Sequence, residues 1–216
     1  MYLSQHIFYI FSTIFRWTLS SIILLSHTYL FAIEHDVFNE LLNKYVSSGK
    51  VNYLGIQSES REVLNSYLGL LSNIKSSEMS SYSKVEQLAL YINAYNAFTI
   101  TAVLDHWPVD SIRDIPNVWK EKKYELAHNH VSLDEIEHKF ARSFGDPRVH
   151  FALNCASVGC PELRSEAYVA LELDNQLEDQ TRLFFKQSDK FYSCAECEDI
   201  KVSKIFEWFY RDFRNH

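Results

Sequence analysis

The sequence lacks the glycine-rich loops GxxxxGK[ST] and GxGxxG and the pattern HExxH, so nucleotide, dinucleotide and common metalloprotease functions have no foothold. It also lacks a basic stripe. The formal net charge is −7 at pH 7, and phosphate contacts need clustered Lys and Arg, so no nucleic-acid partner is expected. Charge of either sign is nearly absent from residues 1–32, where Arg16 is the single charged side chain ahead of the apolar run WTLSSIILLSHTYLFA. Such a segment reads as an export signal to the periplasm or an extracellular space, or as a membrane anchor if it is not cleaved. Membrane contact is expected only through it. Losing the one positive charge leaves 33–216 still more acidic. With no internal repeat, and with 47% hydrophobic and 15% aromatic content, 216 residues suffice for one well-packed domain over 33–216.

What is present reads as helices with short strands between them. HDVFNELLNKYV is an amphipathic helix, VNYLGI a short strand, and about 59 to 74 another helix with KSSEMSSYS as its exit loop. The strongest helix runs from Lys84 to about Asp105, with Pro108 just beyond it. SIRDI reads as one further turn and YELAHNHV as a hairpin. Ser132 and Glu135 form a capping box that starts a helix through about Phe144, ended by Gly145-Asp146-Pro147. VHFALN then reads as a buried strand, Asp174 to Lys186 as a helix and Ser203 to Phe213 as the last one. The expected class is α+β: a central buried helix packed with other helices against a small, mostly antiparallel sheet.

Polar groups on apolar faces mark the candidate site. In LALYINAYNAFTITAVL almost no solvent face remains, so Asn93 and Asn96 are buried amides on one side of the helix and need partners. They either brace neighbouring backbone or orient a catalytic imidazole. Leu133, Ile136, Phe140 and Phe144 form an apolar stripe with Glu137 at its edge, so that carboxylate faces inward. It pairs with a cation such as Arg148 or a histidine, or burial raises its pKa. His138 lies off the stripe, toward Asp134 and Arg142.

On a straight strand, His150 and Cys155 stand roughly 16 Å apart on opposite faces, so the base for a Cys155 nucleophile comes from His138, His128, His130, or a bent His150. The small residues ASVG after Cys155 leave that thiol open to substrate, with backbone N–H groups near a developing oxyanion.

Several segments together resemble a family known as domain of unknown function 547: VNYLGI, LALYINAYNAFTI, PVDSIRDI, VSLDEIEHKFAR, DPRVHFALNCASVGCPELR, LDNQLEDQTRLFF and SKIFEWFYRDF. They span about residues 51 to 213. The residues that match the family's motifs are Asn93, Asn96, Glu137, His138, Arg148, His150, Cys155, Cys160 and Pro161. The resemblance implies no activity, since the family has none assigned. YSCAECED, just before the last helix, departs from the family's pattern.

Cys155, Cys160, Cys194 and Cys197 are the four cysteines. A tetrahedral zinc site is open to them, but the first spacing is only loosely zinc-like and an exported chain uses cysteines more often in disulfides. CAEC closing its own link leaves Cys155 free, whereas a Cys155–Cys160 bond removes the resting nucleophile. The function expected from these residues is a thiol-dependent hydrolase or acyl transferase acting on a small peptide or thiol compound. Cys155, His138, Glu137, His150 and Asn96 are its candidate catalytic residues, and Asn93, Arg148 and Ser157 its candidate substrate-binding ones. No cofactor or metal is expected. The alternative is a non-catalytic ligand- or protein-binding module with structural cysteines.

Overall fold

The computed structural model describes residues 35–157, 159–194 and 199–214. The expected leader, and the expected link within CAEC, lie outside the described residues.

Helix α1 (Asp36–Tyr45) buries Phe38, Leu41, Leu42 and Tyr45. A two-residue ribbon follows, β1 (Val46–Ser47) with β2 (Lys50–Val51), turned through Ser48 and Gly49 at positive φ. Gly49 is required twice over there: its φ is +71°, and a Cβ would strike the side chain of Glu162. Only the start of VNYLGI is strand. Asn52 accepts a hydrogen bond from Gly55 N at 2.9 Å and caps α2 (Tyr53–Gly55), which runs through a π turn (Ile56–Ser60) into α3 (Arg61–Ser72).

KSSEMSSYS, expected as a loop, contains α4 (Ser76–Ser81). None of its residues is buried, and Ser80 returns its hydroxyl to the Ser76 carbonyl one turn back at 2.8 Å. Neither periodicity nor apolar content could have marked it.

The central helix is as expected. Helix α5 (Lys84–Asp105) starts at a Ser83/Glu86 capping box, and from Leu88 to Leu104 every residue but Tyr91 is buried. The hairpin β3 (Tyr124–Leu126) with β4 (Asn129–Val131) turns through Ala127 and His128, both at positive φ, which suits the right-handed twist of the strands. Ala127 N and His128 N donate to the Leu71 and Ser72 carbonyls, tying this turn to the end of α3.

Ser132 accepts from Glu135 N at 3.1 Å and donates its own N–H to Glu135 at 3.3 Å, confirming the capping box. The helix it starts is α6 (Leu133–Glu135), a π turn (Ile136–Phe140) and a 3₁₀ turn (Ala141–Phe144), ended at Gly145 with φ 77°.

VHFALN is not a strand. Asp146 accepts the Arg148 N–H at 2.9 Å, Pro147 supplies a fixed φ, and the chain closes into α7 (Val149–Ala152). All four of its residues are buried, and a short apolar run enclosed on every side cannot distinguish a period of 2 from one of 3.6. Helix α8 (Leu173–Lys186), the ribbon β5 (Phe191–Cys194) with β6 (Asp199–Val202), and α9 (Ile205–Trp208) and α10 (Tyr210–Arg214) complete the chain.

Among the described residues the strands pair as three separate antiparallel ribbons around the helices, an α+β fold. The main core surrounds α5. A smaller aromatic cluster joins Phe151, Phe184 and Ile205 with Phe206, Phe209 and Phe213.

Candidate functional site

A cavity of about 350 Å³ opens between these two clusters. Tyr95, Trp119, Trp208 and Phe209 give it aromatic walls, and Glu137, His138, His150, Cys155, Ser157 and Cys160 bring its chemistry.

The C-terminal helices set the histidine. Phe206, Phe209 and Phe213 pack with Phe151 and Phe184, and Asp212, three residues after Phe209, is carried on that face beneath α7. Asp212 Oδ2 lies 2.8 Å from His150 Nε2, and Phe209 stacks on the imidazole with 3.8 Å between ring centroids. Arg142 grips the same carboxylate with both arms, donating from Nε to Oδ2 at 2.6 Å and from Nη2 to Oδ1 at 3.0 Å. The guanidinium, then the His150 bond, hold Asp212 down to about 2. Asp212 is therefore ionised, and Nε2 must carry the ring proton. Burial lowers the His150 pKa against the pull of Asp212, so the ring is neutral. Its Nδ1 is buried and has no hydrogen-bond partner among the described residues, leaving it the ring atom with unspent capacity as an acceptor.

Glu137 faces inward as its helix position demands, but its partner differs from those expected. Neither Arg148 nor a histidine holds it; its polar neighbour is Tyr95 on α5. Desolvation first, and the nearby Asp134 charge second, push its carboxyl up to about 7 against Arg142 and Tyr95. His138 lies where the helical winding puts it, half-exposed, with Arg142 Nη1 donating to its Nδ1 at 2.8 Å and Asp134 4.0 Å from Nε2. That donated bond requires a neutral imidazole, and burial followed by the Arg142 charge lowers the His138 pKa.

Cys155 and Cys160 are disulfide-bonded, with 5.8 Å between their Cα atoms. Because α7 is helical, the strand-derived separation of His150 from Cys155 does not apply; both line the one cavity.

Three of the expected site residues are not at the cavity. Asn93 donates to the Tyr168 carbonyl at 2.7 Å and accepts from Tyr168 N at 2.9 Å. Asn96 treats the next passing segment the same way, donating to the Ala152 carbonyl at 3.0 Å and accepting from Asn154 N at 2.9 Å. Both amides are spent on backbone, and Asp212, not Asn96, orients the imidazole. Arg148 is bound to Asp146 and Asp174, each at 2.7 Å, away from the cavity lining. The hairpin residues His128 and His130 are exposed and do not line it either. Asp212 was missed by sequence reasoning, although a carboxylate set between aromatic residues in FEWFYRDF was a readable signal.

Residues 79–185 match the model of a family described as "Protein of unknown function, DUF547", and the chain is a member of that family through this segment. The matched segment holds Glu137, His138, His150, Cys155 and Cys160, while Asp212 lies beyond its end. Neither the curated proteins nor the solved structures contain a match to the chain.

Proposed function

We propose that this chain is an exported, thiol-dependent hydrolase or acyl transferase that acts on a small peptide or thiol compound, with Cys155 as nucleophile and His150 as its base. One observation carries the reading: a buried imidazole, pinned through Nε2 by an ionised carboxylate, lines the same cavity as Cys155. In that arrangement Nδ1 takes the thiol proton, and Asp212 stabilises the imidazolium that results. Glu137 holds its proton to about neutral pH and donates it toward a carbonyl oxygen of the substrate. The aromatic walls favour a substrate with an apolar portion. The bond between Cys155 and Cys160 makes this the resting, oxidised form, so the nucleophile acts only after reduction. The apolar leader supports export.

That same bond favours a second reading, a ligand-binding module in which the cysteines are structural. Alkylation separates the two. Iodoacetamide should leave Cys155 unlabelled before mild reduction; after it, Cys155 should label with an inflection below the ordinary thiol value of about 8.5. His150→Gln should move the inflection back up. A reduced Cys155 that titrates at the ordinary value in both proteins sinks the enzymatic reading and leaves the binding module.

A further inference from the structure

We infer that the Cys155–Cys160 bond is exchangeable: a small thiol or disulfide entering the aromatic cavity opens and closes it by thiol–disulfide exchange. The inference deepens the thiol reading above, because the sulfur released is the proposed nucleophile.

Position is the first argument. Neither cysteine belongs to either hydrophobic cluster, and both line the 350 Å³ cavity. Cys160 also lines a second cavity of about 510 Å³, beside the Ser48–Gly49 turn and Gln187. The bond therefore sits in a wall that divides two open spaces, and Cys160 borders both.

Redundancy is the second. A bond that spans five positions is needed as a staple only if nothing else closes its loop. Here Asn154 Nδ2 donates to the Pro161 carbonyl at 2.7 Å, closing the same loop from just outside the two cysteines. Asn154 Oδ1 accepts from Ala156 N at 3.0 Å, Asn96 holds Asn154 N at 2.9 Å, and Gln180 donates to the Glu162 carbonyl at 2.5 Å. Both ends of the loop are thus fixed without the sulfurs.

Proton handling is the third. Exchange needs a base for the incoming thiol and an acid for the departing sulfur, and His150, which borders the cavity and whose buried Nδ1 has no partner among the described residues, serves both. An entering thiol gives its proton to Nδ1, and its sulfur attacks Cys160 Sγ. The S–S bond breaks, Cys155 leaves as thiolate and takes the proton from His150. A second thiol attacks the mixed disulfide on Cys160, releases it as a thiol and departs as the external disulfide. Two external thiols lose two electrons and two protons, and the protein's cystine gains both.

The test uses the full-length native protein in buffers of reduced and oxidised glutathione, quenched with acid, alkylated and mapped by peptide mass spectrometry. Circular dichroism follows the fold in parallel. The bond should open in millimolar reduced glutathione while the fold persists, Cys155→Ser should accumulate a glutathione adduct on Cys160, and His150→Gln should slow opening at neutral pH by on the order of tenfold or more. Cys160→Ser provides the complementary adduct on Cys155 if the first variant does not fold. A bond that stays closed at every glutathione ratio until denaturant is added overturns the inference; equal opening rates with and without His150 overturn the proton transfer it includes. The two proposals fail separately. Opening that leaves a Cys155 thiol of ordinary acidity removes the hydrolase and keeps the exchange, whereas a bond resistant to glutathione removes the exchange and leaves chemically reduced Cys155 to be tested.

Discussion

Glu137 is expensive to ionise where it stands, and the sign of that cost is testable. Its folded-state pKa of about 7 lies above the ordinary 4.5, so the folded protein binds more protons than the unfolded one between those values. This group's contribution is fully present below about 4.5 and is lost as pH rises through about 7, a loss on the order of 3 kcal/mol. Glu137→Gln removes it, so the variant's melting temperature should gain on the wild type by several degrees between pH 5 and pH 8, as thermal unfolding across that range would measure. Parallel curves would mean that the carboxyl is not desolvated. Glu135→Gln is no silent control, because Glu135 closes the capping box and binds Lys122 at 2.7 Å and Lys139 at 2.8 Å. Asp212 has the opposite sign: its pKa is lowered to about 2, so its contribution holds above the ordinary 3.8 and is lost as pH falls through about 2. Asp212→Asn should cost about 1–3 kcal/mol at neutral pH, discounted for the partial exposure of its pair with Arg142, and denaturant titration would read it. At this scale the inward aim of Glu137 was legible from helical winding. The role of Asp212 was not, because it depends on a helix some 60 positions away in the chain folding back under α7.

Helix α5 gives the cavity one wall residue, Tyr95, and organises the rest of the site from behind. Asn93 and Asn96, one turn apart, each present a carbonyl and an amide to a passing backbone and hold it as a sheet neighbour would. Asn96→Ala leaves the Ala152 carbonyl and Asn154 N–H without that partner, which should cost about 2–4 kcal/mol and lower the melting temperature by roughly 5–15 °C. A shift of a degree or less would contradict the clasp. The burial of α5 was readable because its apolar residues leave no solvent face, and the capping box at Ser132 because two side chains three positions apart announce it. α7 was misread for a physical reason: Val149, His150, Phe151 and Ala152 are enclosed on every side, so no exposed face reports the period. α4 hid in serine-rich composition, since its hydroxyls satisfy its own carbonyls and it buries nothing.

On the scale of the molecule, the cavity lies where the main core around α5 meets the aromatic cluster of the C-terminal helices, and each side contributes one half of its chemistry. Because one cluster of buried residues runs from Phe38 in α1 to Leu177 in α8, a protein that starts at residue 33 should unfold in a single transition, with matching calorimetric and van't Hoff enthalpies. Two resolved transitions would show the C-terminal cluster to be a separate unit. The α+β class and the helical centre could be read from pattern, while the meeting of the two clusters could not, since it runs through α7, which places Val149 and Ala152 in the main core and Phe151 in the aromatic cluster. The claim on which the rest depends is that Asp212 holds the His150 ring proton on Nε2 and leaves the buried Nδ1 without a partner among the described residues. Nitrogen NMR of the His150 ring tests this most directly: at neutral pH the account predicts a neutral imidazole with its proton on Nε2, a preference lost in Asp212→Asn. A proton on Nδ1, or a charged ring at neutral pH, would contradict it.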